Sequence, residues 1–343
     1  MPEVTFEHTF ENEATIFEIT KSDLTTGEEL PGAKLEVTDQ DGTVVDEWTS
    51  GTEPHIIKEL EVGKEYTLTE TLPADGYVTA ESIEFTVENT KEVQKHQMLD
   101  DVTKVEISKK DITDSSEVPG AKLIILDKDG KKVESWTSTD KPHMVKKLPV
   151  GEYTLREEQA PDGYLIAEDV KFTVKDTGKV QKVKMKDAHP YGKLVIKKTD
   201  STSKAALPGA EFELREKERG TVVEKLVTAK NGTATSGKIP IATYKNGKVE
   251  KTVEYILVET KAPNGYELSS KKEEIRFEYK DGKTKVIEIV KEIKNTKSPS
   301  GSTPTGNSPK TGDSTNIWLP ILLAVLSACG IGGVIWYKKK KGN

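Results

Sequence analysis

The chain repeats itself, and the repeat limits what it can fold into. Residues 18–77 contain EITKSD, LPGAKLEV, DQDGTVVDEWTS, PHIIKEL, GKEYTLTET and ADGY. Residues 106–164 contain EISKKD, VPGAKLII, DKDGKKVESWTS, PHMVKKL, GEYTLREEQ and PDGY, at an offset of 88 residues early and 87 later. A third, looser copy reads LVIKKTD, LPGAEFEL and VEYILVETKAPNGY, with longer insertions around Gly220 to Lys251. Each copy is 80 to 100 residues of short runs rich in Val, Ile, Thr and Tyr, separated by Asp-Gly and Pro-Gly turns. That is the pattern of small β-sandwiches in tandem. The expected fold is all-β, with sandwiches over residues 14–101, 102–188 and 191–297.

Composition removes other classes. A single cysteine cannot staple any of these units, so a disulfide scaffold is excluded. The 51 Lys+Arg against 58 Asp+Glu give a net charge of −7, which leaves no surplus to neutralise phosphates, and no nucleic-acid partner is expected. Recurrent apolar alternation also argues against disorder.

The tail carries topology. Ile317 to Tyr337 is 21 residues without a charge, about 31 Å as a helix, enough for a bilayer core. Lys338 to Lys341 follow at once, as a cytoplasmic stop would. Residues 298–312 change to Pro, Ser, Thr and Gly and read as an extended spacer. The start, MPEVTFEHTF, has neither a basic nor an apolar run, although the tail requires export. Val4, Phe6, His8, Phe10 and Asn12 alternate as a strand, and Asn12 precedes Lys21 by nine residues, as Asp100 precedes Lys109. Residues 1–13 are therefore expected to be the last strand of an earlier copy in a longer array.

Strand alternation turns three polar residues of each copy inward. In the first strand Phe17, Ile19 and Lys21 share a face, as do Val105, Ile107 and Lys109, and Leu194, Ile196 and Lys198. A later strand places Glu70 with Tyr66 and Leu68, Glu157 with Tyr153 and Leu155, and Glu259 with Tyr255 and Leu257. The last strand places Asp100 with Met98, Asp187 with Val183 and Met185, and Asn295 with Ile289 and Ile293. One alternative is that each lysine snorkels outward or pairs with Asp23, Asp111 or Asp200, two residues on. Buried unpaired charges cost several kcal/mol, so three inward polar groups in three copies need a joint explanation. Burial lowers a lysine pKa and raises a glutamate pKa, so the amine can be a neutral nucleophile and the protonated glutamate can hydrogen-bond and polarise the Asp or Asn carbonyl. Attack on the Asp or Asn carbonyl, with the glutamate relaying protons, would join first and last strands by an amide. No cofactor or metal is needed.

The K-x-D opening, the LPGA segment, the Y-x-L-x-E-x-x-A-P-x-G-Y box and the final-strand Asp/Asn resemble SpaA-type, or Cna B-type, domains of Gram-positive surface proteins and pilins. The resemblance covers about 280 of 343 residues. It implies a transthyretin-like β-sandwich with spontaneous isopeptide bonds: Lys21 to Asp100 promoted by Glu70, Lys109 to Asp187 by Glu157, and Lys198 to Asn295 by Glu259. Copy one departs in having Pro73-Ala74 where the others have Ala-Pro, and Gln94 and His96 in the inward phase.

The tail resembles a sortase cell-wall sorting signal. Ser308-Pro309-Lys310-Thr311-Gly312 matches LPxTG with Ser in place of Leu. The resemblance implies cleavage after Thr311 and transfer to a peptidoglycan precursor, with sortase as partner and the membrane as a transient one. The function expected is a cell-wall-anchored surface protein or pilus-associated subunit whose domains form a cross-linked stalk. The alternatives are a host matrix or glycan-binding adhesin, its surface most readily the Gly220 to Lys251 insertions, and a shaft pilin polymerised with other pilin subunits. A turnover enzyme is not expected, because the chemistry would run once per domain. Gly232 to Lys238 has phosphate-loop spacing but lacks the following Ser/Thr. The five histidines have no metal-ligand spacing, and His55 and His143 are equivalent repeat positions.

Overall fold

The structure, a computed structural model, describes residues 14–299. The first domain contains β1 (Ile16–Asp23), β2 (Lys34–Asp39), β3 (Val44–Thr49), β4 (His55–Lys58), β5 (Glu65–Leu72), β6 (Ile83–Thr86) and β7 (Gln94–Asp100). Two sheets, in the order β4-β1-β7 and β3-β2-β5-β6, face each other across one core. Alternation explains their burial: Phe17, Ile19 and Lys21 of β1 are buried, and so are Tyr66, Leu68 and Glu70 of β5, while the residues between them are not. β1 is antiparallel to β4 but parallel to β7, so the first and last strands of the domain are direct neighbours.

The second domain repeats this order with β8 (Lys104–Asp111), β9 (Lys122–Leu126), β10 (Lys132–Thr137), β11 (His143–Lys146), β12 (Gly151–Gln159), β13 (Val170–Val174) and β14 (Val180–Asp187). Its sheets run β11-β8-β14 and β10-β9-β12-β13. The third has β15 (Tyr191–Asp200), β16 (Glu211–Glu216), β17 (Val222–Val227), β18 (Thr233–Thr235), β19 (Ile239–Pro240), β20 (Ala242–Lys245), β21 (Lys248–Thr252), β22 (Glu254–Lys261), β23 (Glu273–Arg276) and β24 (Val286–Asn295). Here β18 and β19 share the edge that one strand fills in the other copies, and β24 again lies parallel to the first strand. The insertion becomes a separate hairpin, β20-β21.

Between the first and second domains almost no chain is spare. Thr103 donates its backbone N–H to Gly76 O and its hydroxyl to Leu148 O at 2.6 Å. Gly76 has φ +84°, and a Cβ there would stand 2.4 Å from Lys147 O, so only glycine fits the junction. Thr79 donates N–H and hydroxyl to Asp176. Against the second domain the third lays its β20-β21 hairpin. The Tyr244 ring stacks on His189 at 3.4 Å, its hydroxyl donates to Gly163 O at 2.8 Å, and Ile166 N donates to Gly282 O. The insertion expected to offer a ligand surface thus spends its turn end on an interdomain contact.

Among the described residues there is no helix long and apolar enough to cross a membrane, and no metal-binding cluster. The expected last strand of an earlier copy over residues 1–13, with Asn12, the Ser308 to Gly312 pentapeptide, the Ile317 to Tyr337 span and the terminal lysines lie outside the described residues.

Candidate cross-link site

The parallel ladder decides which groups can meet. Lys21 stands opposite Met98 and Asp23 opposite Asp100, so the acceptor lies one same-face step beyond the lysine on the neighbouring strand. The other copies keep this offset: Lys109 opposite Met185 with Asp111 opposite Asp187, and Lys198 opposite Ile293 with Asp200 opposite Asn295. Lysine and acceptor thus share a sheet, and the glutamate reaches them from the facing one.

All nine residues predicted for this chemistry come together in three buried triads. Lys21 Nζ contacts Asp100 Oδ1 and lies 2.8 Å from Glu70 Oε1. Lys109 Nζ contacts Asp187 Oδ1 and lies 2.9 Å from Glu157 Oε2. Lys198 Nζ contacts Asn295 Oδ1 and lies 3.1 Å from Glu259 Oε1, which also accepts from Asn295 Nδ2 at 2.9 Å. Every member is at most 4% exposed. Each glutamate is oriented by a backbone N–H of the loop after its strand: Ala80 on Glu70 at 2.7 Å, Ala167 on Glu157 at 2.7 Å, Ser269 on Glu259 at 3.0 Å.

Burial pushes the carboxyls of Asp100 and Asp187 up to about 7, and it pushes the Lys198 amine below its ordinary value. Asp100 Oδ2 and Asp187 Oδ2 are buried without a hydrogen-bond partner. The neutral acid is the better electrophile, since an amine does not readily attack a carboxylate.

The lysines do not pair with the aspartates two residues on, as the simpler alternative had it. Asp23, Asp111 and Asp200 instead accept the hydroxyls of Tyr77 at 2.6 Å, Tyr164 at 2.7 Å and Tyr266 at 2.8 Å. Sequence reasoning assigned these tyrosines no role, although Gly-Tyr closes the box in every copy. It also missed a buried hydroxyl that bridges the LPGA segment. Ser50 Oγ accepts from Ala33 N and donates to Leu30 O, and Ser138 and Thr228 do the same in the other copies. His55 and His143 stack on Trp48 and Trp136, a structural use. His96 packs in the inward phase against Phe17 and Phe85, where burial lowers its pKa.

The family model described as the SpaA prealbumin-like fold domain matches residues 15–101, 103–189 and 192–293. Among solved structures the chain is similar to the Bacillus anthracis TIE protein, with 28% identity and a TM-score of 0.54 over 83% of this chain and 51% of that one. It therefore spans about half the length of that protein. It is also similar to BcpA, the major pilin subunit of Bacillus cereus, with 18% identity and a TM-score of 0.48 over 83% of this chain and 100% of that one. No curated protein matches it.

Proposed function

Because this chain belongs to the SpaA family of prealbumin-like fold domains, we propose that it is a cell-surface stalk or pilus-associated subunit stiffened by its own amide cross-links. The observation that carries this is the set of three buried Lys–Glu–Asp/Asn triads, each bridging the first and last strands of a domain. In the first two domains the neutral lysine nitrogen attacks Cγ of the aspartic acid and a C–N bond forms. The acid's OH leaves with one amine proton as water, and the glutamate carries that proton across. In the third domain the amide NH₂ leaves with one amine proton as ammonia. No oxidant, reductant or cofactor enters the balance.

The placement suits tension. Force applied along the array enters each domain at the start of its first strand and leaves at the end of its last. An amide between Lys21 and Asp100 carries it directly across and takes everything between them out of the load path. The short junctions then pass it to Lys109 and Lys198. Attachment to peptidoglycan through Thr311 by a sortase completes the reading. The docked β20-β21 hairpin does not favour the adhesin alternative at that surface, and Lys193 of β15, the nearest candidate for pilin polymerisation, is paired across the ladder with Glu288 of β24 at 3.1 Å.

Intact mass tests the cross-links: the chain should lack two waters and one ammonia, and the unmodified mass would refute them. Incubation with a purified sortase and an oligoglycine amine should yield a product joined at Thr311; uncut chain would remove the anchoring step.

A further inference from the structure

Each triad is bounded by a pair of groups that does not react. The aspartate two residues after the lysine places one oxygen on turn amides. Asp23 Oδ1 accepts from Thr25 N at 2.7 Å and Thr26 N at 3.1 Å, Asp111 Oδ1 from Thr113 N at 2.7 Å, and Asp200 Oδ1 from Thr202 N at 2.8 Å and Ser203 N at 2.7 Å. Its other oxygen accepts the tyrosine hydroxyl. The aspartate stands directly across the parallel ladder from the acceptor residue. The tyrosine belongs to the loop after the glutamate's strand, and three residues further on that loop turns its N–H onto the glutamate: Tyr77 and Ala80, Tyr164 and Ala167, Tyr266 and Ser269. One hydrogen bond therefore ties the end of the sheet that carries lysine and acceptor on neighbouring strands to the loop that aims the glutamate from the facing sheet.

We propose that Asp23–Tyr77, Asp111–Tyr164 and Asp200–Tyr266 are positioning pairs for amide formation, setting the glutamate against the lysine and acceptor across the two sheets. This rests on the cross-linking reading above. The attack is sensitive to placement, since a misplacement of about 1 Å can cost roughly a hundredfold in rate. In the first domain the pair also meets the next domain, through Lys147 on Asp23 at 3.2 Å, and in the second it meets the junction, through His189 on Asp111 at 2.8 Å, with the third domain's Tyr244 stacked on that histidine. Among the described residues Asp200 has no such contact, so the third domain isolates the positioning role, and its leaving group is ammonia rather than water.

The test uses the full chain made by cell-free synthesis, quenched with acid at intervals and digested. The Lys198–Asn295 linked peptide is quantified by mass, with the other two linked peptides of the same molecules as internal clocks. Tyr266→Phe should slow the third bond about tenfold or more, the effect of losing a hydrogen bond to a charged group, while the other two form at their ordinary rates. Asp200→Asn keeps one oxygen for the turn amides and turns an amide N–H toward the tyrosine oxygen, which can accept it, so the link survives with its direction reversed and the rate should stay within about threefold of the wild type, whereas Asp200→Ala should match Tyr266→Phe. Ile275→Val, in the same core but away from the pair, reports the effect of lowered stability alone and should leave the rate unchanged. A Tyr266→Phe rate equal to wild type, or no slower than Ile275→Val at equal stability, overturns the positioning role. Absence of any linked peptide in the wild type overturns the cross-linking reading with it.

Discussion

Replacing Glu157 by alanine removes the proton relay of the second domain while leaving Lys109 and Asp187 in contact, so the bond should fail to form although both ends are present. The cost follows from the loop that the bond closes. Lys109 and Asp187 are 78 positions apart, and the loop-entropy estimate for a cross-link of that span is about 4.5 kcal/mol, if it transfers from disulfides. For a domain of this size each kcal/mol shifts the unfolding midpoint by roughly 4–8 °C, so the transition of the second domain should fall by roughly 20–35 °C. Ala167 N also loses its carboxylate acceptor, which adds to the loss rather than offsetting it. Intact mass and scanning calorimetry on the same sample are the assay. After correction for the substitution the variant should be heavier than the wild type by one water, with the other two bonds in place. A variant that still loses all three leaving groups would refute the relay. One that lacks the bond yet melts with the wild type would refute the claim that the cross-link carries the stability.

Three further outcomes are expected. The folded carboxyls of Asp100 and Asp187 keep their protons to about 7, so their bonds should slow as pH rises through that value; the third acceptor is an amide and Lys198 is depressed by burial, so its bond should not slow, which pulse synthesis at pH about 6 and about 8 would resolve. Ser50→Ala strands Ala33 N and Leu30 O in the first core and should cost about 1–3 kcal/mol in denaturant unfolding of a chain also carrying Glu70→Ala. Gly76→Ala forces a Cβ against Lys147 O at a positive φ and should open the first junction at a cost of roughly 1–3 kcal/mol, seen as a broader distribution of lengths in small-angle scattering with both cores intact.

Much of the site was legible because the facing of a strand residue is a local property. Period-two alternation put Lys21, Glu70 and Asp100 on inward faces without knowledge of any partner, and repetition in three copies separated that signal from chance. The same reasoning could not choose a partner for the lysine, because Asp23 lies inward in the same strand and is nearer in sequence. The ladder register decided it: Asp23 is carried one step past the lysine, where Tyr77, 54 residues away, takes its free oxygen. Nor could composition say that the third-copy insertion folds into a hairpin braced on the second domain, since Tyr244, His189 and Gly163 share no pattern along the chain.

The sequence by itself determined the tandem sandwiches, the inward polar residues and the absence of disulfides, because alternation, turn chemistry and cysteine count act within a few residues or need no geometry. Tertiary structure alone decided which inward groups touch, which acids burial drives toward their neutral form, and how each domain is seated on the next. Those depend on the offset between parallel strands and on the meeting of two sheets, distances set by the packing of the whole domain.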